Sequence, residues 1–380
     1  MYTTKEVTVI VPSYNTLAHL KNTYRSLKEN AGDVNIIIID DYSTDGTKDW
    51  LLTLDDDKLH YILNVERKGH TYWYDEAMKI ASTDIVSILH SDMIIGPGYF
   101  ENMLKHIKRG KVVCATRIEP PIHPAGKEKI VRDFGDDAEV FKWDAFYEFV
   151  SKQIDLDKDK TTKGIFAPWT LFKEDHLSIG GHDQRFAPFG YEDSDIFNRW
   201  ILAGYEMVQA RDSFVYHMTC RGHKWNAGVG IENPDYKDIM SRCEREFIRK
   251  WGDWILNDQY QFPIINPKYD RHLIIKNGNF DTLKMLEPWC DNLTYEGPSE
   301  DLEKYIEEEQ PRTVVNLAEK IADKDNDIVL TIDVNTFNTQ DYIYIRQLAA
   351  ILSQNKPQEG QFKLGNIIIK INKYNENLFD

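Results

Sequence analysis

Several short stretches of this chain carry side chains whose type and spacing could do chemistry. Asp84–Met93 reads DIVSILHSDM, an apolar run that stops in an acidic turn at Ser91-Asp92. A buried parallel strand looks like this when it delivers a carboxylate to the open edge of a sheet, where ligands of α/β proteins bind. A carboxylate there suits a divalent cation, Mg2+ or Mn2+, that also carries phosphate oxygens. Phe214–Asn226, FVYHMTCRGHKWN, ends a second strand at His217, which can face the same cleft. Arg221, His223, Lys224 and Trp225 follow in a glycine-containing loop. Basic groups there can close over a diphosphate.

Two further stretches point to a nucleotide. Val7–Asn15, VTVIVPSYN, is a strand that turns at Pro12-Ser13-Tyr14-Asn15 and exposes one aromatic ring beside several hydrogen-bonding groups. Tyr14 can stack on a flat base. Ile36–Thr47, IIIIDDYSTDGT, ends a buried strand in two carboxylates, Asp40 and Asp41. Such acids commonly hydrogen-bond a ribose or a base. Helix capping explains Ser43, Thr44 or Asp45, but two adjacent acids exceed what a cap requires.

One stretch points to proton transfer. In Gly180–Tyr205 an aromatic, glycine-rich approach (Phe186, Phe189, Gly190, Tyr191) leads to Glu192, Asp193 and Asp195 at a helix start. The helix dipole accounts for one acid there. A carboxylate beside a sugar-sized pocket can take a proton from an acceptor hydroxyl.

The elements that must position these groups alternate in the first half of the chain. Strands are expected at Val7–Val11, Asn35–Ile39, Leu59–Leu63 and up to Asp92. Helices follow each, the third capped by Thr71 and the last carrying Phe100, Met103, Leu104 and Ile107. This βαβα rhythm predicts a doubly wound, mostly parallel sheet. Residues 117–163 read as long loops with a short helix near Trp143–Val150. Regular structure returns with a strand at Ile165–Lys173, a helix at Ser194–Ala203, a strand at Phe214–His217 and a helix through Tyr236 and Trp251. Trp169 is placed either to stack on an acceptor sugar or to fill the core. Gln261–Asp270, with two prolines, reads as a linker between residues 1–260 and a small α/β domain, 271–380.

Composition excludes several classes. A net charge of −16 argues against nucleic-acid or anionic-lipid partners. No apolar run approaches the roughly 20 residues of a transmembrane span. The N-terminus lacks a signal-peptide layout, so a cytoplasmic protein is expected. The four scattered cysteines, with no CxxC pair, read as reduced thiols.

Taken in order, these stretches resemble family 2 glycosyltransferases, whose nucleotide-sugar-binding fold is called GT-A, over residues of about 5–255. VTVIVPSYN is similar to the family's opening strand and turn, which implies donor contacts from Pro12, Ser13, Tyr14 and Asn15. IIIIDDYSTDGT resembles the second-strand pattern whose acids, here Asp40 and Asp41, contact the uracil or ribose. SILHSDM resembles the DxD motif; Asp92 would then ligate the metal and Ser91 lie near the sugar nucleotide. GGHDQRF and GYEDSD resemble the acceptor-side pattern, in which the second acid of the ED pair, Asp193, is the usual base and Glu192 lies beside the acceptor. VYH puts His217 where a histidine completes the metal or diphosphate site in several members.

Two stretches depart from the pattern. His90 replaces the first Asp of DxD, so the ligand count falls by one carboxylate. The loop ERKGHTYWYDEA stands where the family often has G…RN, with Lys68, Gly69 and His70 on the donor side and Asp75 near the usual Asn. The resemblance implies an inverting, Mn2+- or Mg2+-dependent transfer from a nucleotide-diphospho-sugar, with UDP as the expected nucleotide, to a saccharide or other hydroxyl acceptor. A degenerate fold serving as a sugar- or partner-binding module is the alternative. A nucleotidyltransferase ranks lower, because PSYNTLAHL is neither glycine-rich nor basic.

Overall fold

The computed structural model describes residues 2–225, 230–322, 324 and 326–376. Asn226, at the end of the His217 stretch, lies outside the described residues. The chain divides into two compact units.

The first unit is built on a mixed sheet. Its strands are β1 (Val7–Ser13), β2 (Asn35–Asp40), β3 (Leu59–Leu63), β4 (Ile85–Ile88), β5 (Met93–Ile95), β6 (Lys111–Glu119), β7 (Lys129–Val131), β8 (Thr161–Thr162), β9 (Trp169–Phe172) and β10 (Glu206–His217). The order is β3-β2-β1-β4-β9-β6-β10-β5, with β7 on β6 and β8 on β10. β3, β2, β1 and β4 run parallel, as do β6 and β10. β9 is antiparallel to both neighbours, and β5 is antiparallel to β10. The runs Val9–Val11 and Ile36–Ile39 are buried without alternation, as expected of strands covered on both faces. Helix Leu17–Asn30 turns His19, Leu20, Thr23, Ser26 and Leu27 inward, a stripe at helical spacing. Asp45 Oδ2 accepts the N–H of Leu17 at 2.7 Å, so the turn after β2 caps a helix after β1.

Several expectations are corrected. β1 continues through Pro12 to Ser13. Ile10 gives its carbonyl to Leu89 N–H on the β4 side, and Pro12 faces that side beyond the end of β4. Its missing N–H therefore costs no ladder bond. The strand expected to end at Asp92 ends at Ile88, and a turn leads into β5. Thr71 is not a cap. Helix His70–Ile80 starts after Gly69, and Thr71, buried in its first turn, bonds Pro188 O at 3.4 Å. Within 117–163, the end of β6, β7 and β8 stand where loops were expected, and the short helix expected near Trp143–Val150 runs from Trp143 to Asp157. Phe134, Phe141, Phe146, Phe214 and Tyr216 form a separate aromatic cluster that anchors this region. Only Trp169–Phe172 of Ile165–Lys173 pairs as a strand; Pro168 before it has no N–H to give.

The second unit comprises Asp238–Leu256 and the chain from Ile264 onward. Its sheet has the order β12-β11-β13-β15-β14, from β11 (Arg271–Lys276), β12 (Asn292–Glu296), β13 (Ile328–Asp333), β14 (Gly360–Leu364) and β15 (Ile367–Ile371). The expected linker thus does not by itself mark where this unit begins. Arg249 pairs with Glu287 and Glu309 at 2.5 Å each, and Lys320 Nζ lies 2.6 Å from Glu287. A buried carboxylate needs such partners, and they tie helix Tyr236–Trp251 to this core from Asp238 onward. Among the described residues, no helix is long and apolar enough to cross a membrane.

Candidate active site

The acidic turn gains its partner from β5. Pairing of β5 with β10 sets Met93 opposite His217, and Asp92 O accepts Met218 N–H at 3.1 Å. Asp92 and His217 are both buried, with His217 Nε2 3.5 Å from Asp92 Oδ1. His90 completes a group whose ligand atoms all lie within 4.8 Å of one another. A second such group, Asp75, His176 and His182, is also buried. There Asp75 Oδ1 accepts from His176 Nε2 at 2.8 Å and His182 Nδ1 at 2.7 Å, and Oδ2 accepts the His182 N–H at 2.7 Å. Those are hydrogen-bond lengths, below the roughly 3 Å that separates neighbouring ligands of a small divalent ion. The 3.5 Å separation in the first group is long for a hydrogen bond and fits two ligands of one cation. The donors, two imidazoles and one carboxylate, also fit a divalent metal.

Charge is concentrated around this group. Burial works against the Asp92 carboxylate, but His217, His90 and His19 outweigh it and hold its pKa well below the usual range. Burial lowers His217, yet Asp92 and Glu119 raise it to about 9. Glu119 ends β6, with its Oε1 3.5 Å from His217 Nδ1. It accepts from Arg117 Nη1 and Lys129 Nζ at 2.7 Å each. A carboxylate behind a ligating imidazole fixes its orientation.

The residues expected on the donor side lie around the ends of β1 and β2. The hydroxyls of Ser13, Thr16 and Ser91 form a chain with steps of 2.9 and 2.8 Å, so the first turn is tied to the acidic turn. Asn15, at φ 51°, receives the Thr44 N–H on its side-chain oxygen at 2.8 Å. Asp40 is buried and accepts the Ser43 N–H at 3.0 Å. Asp41 is committed to the chain itself. It accepts from Lys68 N, Gly69 N, Trp73 Nε1 and Asn64 Nδ2 at 2.7–3.1 Å. The Lys68 ammonium pairs with Glu66 at the surface. Gly69 has φ +88°, and a Cβ there would meet Pro188 Cα at 2.2 Å. Tyr14 has the Arg67 guanidinium 3.9 Å from its ring centroid. Arg221 is buried, with Nε 3.2 Å from His19 Nε2.

Glu192 and Asp193, expected on the acceptor side, open helix Glu192–Leu202. Burial and then the Glu192 charge push Asp193 up to about 7. Burial also works on Glu192, but His70 outweighs it and keeps that carboxyl ionised well below its usual range. His70 Nε2 lies 2.7 Å from Glu192 Oε1. Trp169 is corrected as an acceptor-stacking candidate. It is 1% exposed, edge-on to Trp200 at 4.8 Å and stacked near His176 at 5.6 Å. No face is left for a sugar.

Sequence reasoning missed the His70–Glu192 contact, Glu119 and the Asp75 group. The apolar run Val112–Ala115 could have revealed the start of β6, but not that the strand continues to its terminal acid. Nothing local could have revealed the Asp75 partners, which lie about a hundred positions away in the chain.

Comparison with known proteins converges on this unit. Residues 8–168 match the family model described as glycosyl transferase family 2. Residues 148–224 match one described as the N-terminal domain of galactosyltransferase. A validoxylamine A glucosyltransferase of Streptomyces hygroscopicus subsp. jinggangensis (strain 5008) is 26% identical over 285 residues, covering 64% of this chain and 60% of the relative. The uncharacterized glycosyltransferase YfnE of Bacillus subtilis (strain 168) is 27% identical over 255 residues, covering 56% and 64%. The chain thus spans less than two thirds of the length of either. A solved mannosyltransferase from Pyrobaculum calidifontis, in complex with GDP-Man and Mn2+, is 21% identical, with TM-score 0.40 and coverage of 57% and 58%. The mixed α/β sheet agrees with the GT-A arrangement expected above, and residues 8–168, within the first unit, are similar to glycosyltransferase family 2.

Proposed function

We propose that this chain is an inverting, metal-dependent glycosyltransferase that moves a sugar from a nucleotide-diphospho-sugar, foremost a UDP-sugar, to an acceptor hydroxyl. One observation carries the proposal. His70 bonds Glu192 at 2.7 Å while its ring stacks on His90, with centroids 6.2 Å apart. A single residue therefore joins the acid pair to the metal-type group, as a displacement between donor and acceptor requires. Asp193 is the general base that takes the acceptor proton, and a carboxylate with pKa near 7 is matched to that task. Glu192, held ionised by His70, orients the acceptor. Asp92 and His217 are the ligands of the cation, and Glu119 steadies His217. A cation bound there supplies charge stabilisation for the leaving diphosphate.

The turn Pro12–Asn15, Asp40 and Ser91 contact the donor nucleotide. Asp41 shapes the loop of Lys68 and Gly69 that borders it. The glucosyltransferase relative supports a hexosyl donor.

The test is a thermal-shift screen of nucleotide sugars with and without Mn2+, followed by transfer or donor hydrolysis with whichever donor binds. A donor at about 100 times its Kd stabilises by about 2.7 kcal/mol, which the screen detects. The expected result is a donor-specific, metal-dependent shift and turnover of that donor. Absence of any shift refutes the proposal. Binding with neither transfer nor hydrolysis favours a sugar-binding module.

A further inference from the structure

We infer that His90 is a third protein ligand of the cation and that it sets which ion the site takes. The inference rests on the metal-dependent reading above and goes beyond it. In the DxD pattern the position of His90 is an Asp, so the sequence alone reads as the loss of one carboxylate ligand. In the folded chain it exchanges one donor atom for another. The nitrogen of His90 falls within 4.8 Å of both the Asp92 oxygen and the His217 nitrogen.

The ring of His90 is held in place by packing. It lies edge-on to His217 with centroids 5.5 Å apart, and stacks against His70 at 6.2 Å and Tyr74 at 6.5 Å. Among the described residues, its side chain makes no hydrogen bond to the protein, so no protein partner competes for its nitrogens. A partly buried imidazole without a polar partner, oriented by rings on several sides, is placed to give its lone pair to a ligand.

A cation held there would take two nitrogens and one carboxylate oxygen from the protein. Diphosphate oxygens and water would supply its other donors. Mg2+ prefers oxygen ligands and gives up its water reluctantly. Imidazole suits first-row transition ions, whose affinity for such sites rises from Mn2+ through Co2+. The site therefore discriminates against Mg2+. An Asp at position 90 would add negative charge and an oxygen donor, and would favour Mg2+.

The experiment uses the full chain with UDP as the probe nucleotide. Calorimetry gives Kd for Mn2+, Co2+ and Mg2+ in its presence. Pulsed electron paramagnetic resonance of bound Mn2+ counts directly coordinated imidazole nitrogens. The expected wild-type result is two nitrogens, with Mn2+ and Co2+ bound at least about tenfold more tightly than Mg2+. His90→Asp should lose one nitrogen and narrow the Mn2+/Mg2+ ratio by about tenfold. The wild-type nitrogen count needs no variant, so poor folding of His90→Asp would not obscure the answer. A single nitrogen in the wild type, or two nitrogens persisting in folded His90→Asp, overturns this inference and leaves metal-dependent transfer standing. Failure of every ion to bind, with or without UDP, overturns both.

Discussion

Asp193→Asn should abolish sugar transfer, remove a pH dependence and stabilise the fold, and all three effects follow from one carboxyl group. Burial and the neighbouring Glu192 charge move Asp193 from an ordinary 3.8 to about 7. A base must be ionised, so wild-type kcat/KM should rise with pH. The ionised fraction is about 10% at pH 6 and about 90% at pH 8, a rise of about ninefold, whereas an unshifted Asp would give a flat profile. The asparagine cannot accept the proton and should lower the rate by about 10²–10⁴-fold.

The stability effect has a definite sign. A carboxyl whose folded pKa lies above its unfolded value favours the protonated fold, and ionising it in place costs stability as pH rises from about 4 to about 7. The shift corresponds to a cost on the order of 4 kcal/mol, complete above pH 7. Asp193→Asn should therefore be more stable than the wild type at pH 8, with the gap closing towards pH 4. The assays are pH-resolved kcat/KM with a donor found by the thermal-shift screen, and urea unfolding at several pH values. A flat wild-type rate profile between about pH 5.5 and 8.5, or a variant that keeps most of the rate, would refute the assignment. Glu192 and Asp195 would be the next candidates for the base.

Other outcomes are expected from the same geometry. Asp92→Ala should lose Mn2+-dependent donor binding in calorimetry while keeping its far-UV circular dichroism, because Asp92 lies in a turn between β4 and β5. Unchanged affinity would remove it from the metal site. Gly69→Ala should destabilise the protein by about 1–3 kcal/mol and weaken donor binding, since the added methyl meets Pro188 backbone at a φ that disfavours any side chain. A variant with wild-type unfolding would show that the two loops do not approach so closely. Asp75→Ala should cost about 3 kcal/mol or more, because the buried His176 and His182 nitrogens lose their acceptor. Full stability in that variant, measured by denaturant titration, would mean that water replaces the carboxylate.

The sequence alone carried the alternating architecture of the first unit and the types of group at its strand ends. Unbroken apolar runs such as Ile36–Ile39 are legible because burial on both faces leaves no polar position, and acids at their ends stand out against them. The family resemblance is legible for the same reason, since VTVIVPSYN, IIIIDDYSTDGT and GYEDSD are local patterns. What only the tertiary structure decided depends on pairs far apart in the chain. β5 is three residues long and has no periodicity of its own, yet its pairing with β10 sets Asp92 beside His217. β6 was hidden because its charged end, Arg117 and Glu119, looks like loop sequence until Lys129, Glu128 and His217 neutralise it. Trp169 had two readings in sequence, and packing against Trp200 and two imidazoles selected the core. His90 and Asp41 show the same limit in opposite directions. The fold brings His90 to the metal-type group and turns the Asp41 carboxylate inward to hold the Lys68–Gly69 loop. A residue's type is written in the chain, but what its charged or lone-pair atoms face is set by elements that the chain brings together only on folding.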